Sequence, residues 1–112
     1  MTFKQLQRLC LSLPEVEERE TWGDITFRVR DKIFVIASPD GPTASVKASI
    51  DDQAGLLEMD PTTFSKSAYV GRFGWVRVQL VGLSPELADR LIRNAWRLTA
   101  PRRLVSKVER AV

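Results

Sequence analysis

The sequence predicts an α+β domain, an antiparallel sheet with helices packed on one face, in the order α-β-β-β-α-β-α. Three observations lead there. Apolar residues recur at helical spacing near both ends of the chain. Between them, apolar and polar residues alternate with period two. Short turn signals join the alternating segments as hairpins.

Taken in order, Thr2-Phe3-Lys4-Gln5 has the form of a capping box, and Leu6, Leu9, Cys10 and Leu13 follow at helical spacing until Pro14. This predicts a first helix from about Phe3 to Leu13, with Cys10 as a core filler on its apolar stripe. Residues 15–24 show neither period and read as a connection. Ile25, Phe27 and Val29 then alternate with Thr26, Arg28 and Arg30, and a turn at Asp31-Lys32 leads into the apolar run Ile33 to Ala37. Pro39-Asp40-Gly41-Pro42 signals a second turn, after which Ala44, Val46, Ala48 and Ile50 form a third strand. Asp51 or Asp52 is placed to cap a short helix through Met59, ended by Asp60-Pro61. Residues 60–71 read as a loop. Gly74 precedes a strand with Val76, Val78 and Leu80 facing inward. Ser84-Pro85-Glu86 opens a helix to about Thr99, which Pro101 ends, leaving a basic tail from about residue 101. No repeat or linker divides residues 1–112, so a single domain is expected.

Composition narrows the chemistry. In 112 residues there is one cysteine and no histidine, which excludes an internal disulfide and any mechanism that needs imidazole. The chain can bury about two thirds of its unfolded surface and needs no metal to fold. No cofactor is implied. No apolar run approaches the roughly 18 residues of a membrane span, and the first residues lack a secretory pattern, so a cytoplasmic location is expected. The net charge of +3 is uneven: residues 1–56 carry seven Lys/Arg and nine Asp/Glu, residues 57–112 ten and five.

If the apolar strand faces meet the helices, the opposite face carries Arg28, Arg30, Ser45, Lys47, Ser49, Trp75, Arg77 and Gln79. Cations interleaved with an aromatic suit nucleic acid, since phosphates attract the first and bases pack on the second. A solvated face is the plain alternative. Arg90, Arg93 and Arg97 form a stripe on the last helix that reads as solvated. Glu15, Glu17, Glu18, Glu20 and Asp24 have no ordered metal-ligand spacing and read as a solvated loop. A nucleic-acid-binding surface of Arg28, Arg30, Lys47, Arg72, Trp75 and Arg77, supported by Arg102 and Arg103, is therefore the first expectation, with no catalysis. The alternative is a protein-interaction or small-anion module, in which Trp22, Tyr69, Phe73 and Trp75 line a groove and Arg72 or Arg77 clamps a carboxylate or phosphate.

Four segments carry a resemblance. They are residues 11–18 (Leu11-Ser12-Leu13-Pro14-Glu15-Val16-Glu17-Glu18), Phe27 to Phe34, Tyr69 to Val76, and Ala95 to Leu104 with its Ala-Trp-Arg-Leu-Thr-Ala-Pro-Arg-Arg-Leu run. In this order they resemble the MmcQ/YjbR family of small bacterial proteins. The resemblance implies a frataxin-like (CyaY-like) α+β fold and a "double wing" DNA-binding role, with the exposed sheet face as the binding surface. Frataxin-like folds also suggest iron handling by acids on the first helix. Here that helix carries Lys4 and Arg8 and no acid between residues 2 and 14, so iron is not expected. Relatives often carry histidine or lysine where this chain has Arg72-Phe73, which removes any role for an imidazole there.

Overall fold

The structure, a computed structural model, describes residues 1–110. Helix α1 (Phe3–Leu11) begins with the expected capping box: the Thr2 hydroxyl accepts from the Gln5 backbone N–H, and the Gln5 side chain accepts from that of Thr2. Leu6 and Cys10 are its buried residues.

The segment expected as a connection is instead the strand β1 (Val16–Thr21), antiparallel to β2 (Asp24–Val29). Its alternation is invisible in sequence because it is an edge strand whose four central residues, Glu17 to Glu20, are all exposed. A glutamate-rich edge also resists pairing with other chains. Trp22 and Gly23 make the turn, both at positive φ, the pattern of primed hairpin turns.

β2 leads to β3 (Lys32–Ala37) through a second such turn, centred on Arg30 and Asp31 and so one residue earlier than expected. The register shifts between Phe27 and Arg28, and this bulge turns the successive residues Phe34 and Val35 both into the core. β4 (Thr43–Val46) is shorter than the alternation predicts. Ser49 leaves the sheet to cap helix α2 (Ile50–Met59), its hydroxyl accepting from the Asp52 N–H, in place of the aspartate cap expected.

Within the expected loop lies a three-residue strand, β5 (Phe64–Lys66), paired with β6 (Val76–Gln79). The sheet is antiparallel, ordered β1-β2-β3-β4-β6-β5. Helix α3 (Pro85–Thr99) is capped by Ser84 as expected. The expected basic tail is a helix, α4 (Arg102–Arg110), because Leu104 is buried and Val105 and Val108 pack beside it against the core.

Phe27, Phe34 and Phe64 fill the core with Leu6, Ile92 and the inward valines. Each such fully buried side chain contributes about 2 kcal/mol. The helices occupy one side of the sheet, and the outward face of the central strands carries no helix. Among the described residues no helix is long and apolar enough to cross a membrane.

Candidate nucleic-acid interface

The register of the last three strands assembles a pad on the open face. Ser45 of β4, Arg77 of β6 and Ser65 of β5 are Cα partners in one row. Lys47 and Trp75 lie just past the ends of β4 and β6, two residues on from Ser45 and Arg77 and about 7 Å further along. Ser67 is buried: its backbone N–H donates to the Trp75 carbonyl, and its hydroxyl donates to that of Ser45 at 3.0 Å. The pad therefore presents two cations, one half-exposed indole and the hydroxyls of Ser45 and Ser65. Neither Lys47 nor Arg77 makes an ion pair among the described residues.

The backbone beneath Trp75 is pinned. The amide nitrogen of Gln53, a buried residue of α2, donates to the Gly71 carbonyl at 2.7 Å and to the Trp75 carbonyl at 2.8 Å. Gly74, at φ +104°, sits against the Ala48 carbonyl with no room for a β-carbon. The single turn Gly71–Phe73 beside it presents Arg72 and Phe73 outward, the guanidinium 4.7 Å from the Phe73 ring centre. Tyr69 is 96% exposed and Phe73 61%.

Other expected site residues are placed differently. Arg28 lies on the outward face, but its side chain is only 15% exposed, bonded to Thr26 and Thr21 with Asp31 at 3.8 Å. Arg30 lies in the β2–β3 turn and forks onto both carboxylate oxygens of Glu15. That hydrogen bond holds the Glu15 carboxyl below its ordinary pKa, aided by the Arg30 charge and by Lys107, while burial opposes it. Ser49 is a helix cap. Arg102 and Arg103 project from α4 with Lys107 and Arg110, in the helical layer and apart from the pad. On the α3 stripe, Arg93 pairs with Asp89 and Arg97 with Glu109 of α4.

The four-aromatic groove does not assemble. Trp22, fully exposed, sits at the β1–β2 turn, beyond the Ile25–Ala37 end of the sheet, whereas Trp75 lies beyond Val76 at the opposite end and three strand spacings or more away. That is at least about 14 Å of sheet width. Tyr69, Phe73 and Trp75 do share one short segment.

Sequence reasoning missed Ser65, because a strand of three residues is too short to show an alternation. It also missed Glu17 and Arg19, which β1 adds to the outward face beside Arg28. Arg19 itself bonds Glu17 and Asp31.

Burial pushes the Cys10 thiol up to about 12, with Glu18 adding to the effect, so it is no nucleophile at neutral pH. Among the described residues no group of three or more His, Cys, Asp or Glu side chains is placed to hold a metal ion. The acids of residues 15–24 are strand and turn residues of the edge hairpin.

Comparison with known proteins agrees with this architecture. A family model described as YjbR matches residues 11–98. The crystal structure of a Deinococcus radiodurans protein with a DUF419 domain superposes with a TM-score of 0.80 at 21% identity, over 87% of this chain and 77% of that one. No curated protein matches.

Proposed function

The chain belongs to the YjbR family, and from that premise we propose that it is a non-catalytic DNA-binding protein that grips phosphates with the open face of its sheet. The observation that carries this reading is the pad: Lys47 and Arg77 flank Trp75 among hydroxyls, on a surface that no helix covers. Unpaired cations are the groups whose counterion release drives nucleic-acid association. Hydroxyls position phosphates without reading bases, so sequence preference is slight. Arg72 extends the cationic edge; Arg28, partly neutralised by Asp31, supports the face from β2. Arg30, held by Glu15, and the α4 pair Arg102 and Arg103 are secondary contacts. The protein works in the cytoplasm in this reading.

The test is a fluorescence-anisotropy titration with labelled DNA offered both as duplex and as single strand, repeated across salt concentrations. Binding weakens steeply with salt, and the double variant Lys47→Glu with Arg77→Glu loses it. Flat titrations for both forms at low salt, with folded protein, rule the proposal out.

A further inference from the structure

Resting on the DNA-binding reading, we infer that the pad takes single-stranded DNA in preference to duplex, with Trp75 as a base-stacking platform. A paired base in a duplex has both faces stacked on its neighbours and offers an indole only its edge. An unpaired base offers its whole face, and every base has one.

The pad has the parts a single strand needs. Trp75, half-exposed, lies beside Lys47 and two residues along the chain from Arg77, so a base over the indole has two cations next to it. Arg77, flanked by Ser45 and Ser65, continues the polar track about 7 Å along the strands. Tyr69 and Phe73 lie within the same short segment, exposed, with Arg72 already stacked on the Phe73 ring. Exposed aromatics cost solubility in a free protein and are useful where flat, apolar faces arrive. The platform is also built in advance: Gln53 and Ser67 fix the Trp75 carbonyl, and Gly74 locks the approach. Little ordering remains to be done on binding.

The charge count points the same way. Sequence-independent duplex binding draws its strength from many phosphate contacts, and groove reading needs a helix or ribbon that enters the groove. Lys47 and Arg77 with neighbouring Arg72 are few cations, and the pad residues lie on or just past the strands of a sheet, with no helix among them. Stacking makes up for a short row of cations on one strand; nothing equivalent does so on a duplex.

The experiment compares a labelled oligothymidylate of about twelve nucleotides with a labelled duplex of equal length at about 50 mM salt. The single strand binds at least about tenfold tighter and quenches tryptophan emission. Trp75→Ala lowers that affinity by about tenfold or more while Trp75→Phe keeps most of it. Phe73→Ala, on the exposed turn, weakens single-strand binding and serves as the second variant if Trp75→Ala fails to fold. A duplex bound as tightly as the single strand, or single-strand binding indifferent to both Trp75→Ala and Phe73→Ala, overturns this inference and leaves DNA binding standing. Absence of binding to either form removes both.

Discussion

Single residues hold the platform in place, and Gly74 is the clearest. Its φ of +104° belongs to the region open to glycine, and a β-carbon there would overlap the Ala48 carbonyl oxygen. Gly74→Ala is expected to cost about 3 kcal/mol, seen as a fall in melting temperature of roughly 15 °C. The Glu15–Arg30 pair makes a prediction about pH. Glu15 titrates below its ordinary range because Arg30 hydrogen-bonds it. A carboxyl depressed in this way contributes its stability in full above the unfolded pKa and loses it as pH falls through the folded one. Glu15→Gln should therefore melt below the parent protein near pH 7, and the gap should close below about pH 4; melts recorded across that range check it. Residue positions on the face were legible near the central strands: Arg77 falls within β6 where alternation puts it, and Lys47 and Trp75 lie just past the ends of β4 and β6. Arg30 was not, because the turn begins one residue earlier than Asp31-Lys32 suggests and its side chain finds a carboxylate from another segment.

Among the elements, those with a buried face were legible and those without were not. The strands β2, β3, β4 and β6 and helices α1 and α3 bury alternating or helically spaced apolar residues, and each was read from them. β1 is held chiefly by backbone pairing at its edge, which leaves no imprint on side-chain pattern, and β5, at the other edge, buries only Phe64, too little to show a period. α4 does carry one, at Leu104, Val105 and Val108, but the cations between them and the preceding Pro101 suggested a tail. Its docking is testable. Leu104→Ala should destabilise the protein by about 2–3 kcal/mol, read by urea denaturation, which a loose tail would not do. Ser49→Ala removes the α2 cap and should cost about 1 kcal/mol. Because α2 carries Gln53, the same variant should also raise amide exchange in the Gly71–Trp75 segment.

For the molecule as a whole, charge is sorted by face and by end rather than by halves of the sequence. Lys47, from the acidic half of the chain, lies just past β4, whose neighbour β6 carries Arg77, from the basic half. Glu20 and Asp24 lie towards the opposite end of the sheet with the Trp22 turn. If Lys47, Arg77 and Arg72 each meet one phosphate of a single strand, the logarithm of affinity should fall with the logarithm of salt at a slope of about −2. Lys47→Ala should flatten that slope by about 0.7, whereas Arg102→Ala, in the helical layer, should change it less; titrations in increasing potassium chloride measure both. Cys10 has a consequence at this same scale. Its sulfur is enclosed where α1 meets the sheet, and its thiol keeps its proton until strongly alkaline pH. Only the thiolate attacks a disulfide reagent, so modification must wait until the interior opens. The rate of thiol labelling in ordinary buffer therefore counts spontaneous openings of the native core, and it ranks variants by opening free energy without heat or denaturant.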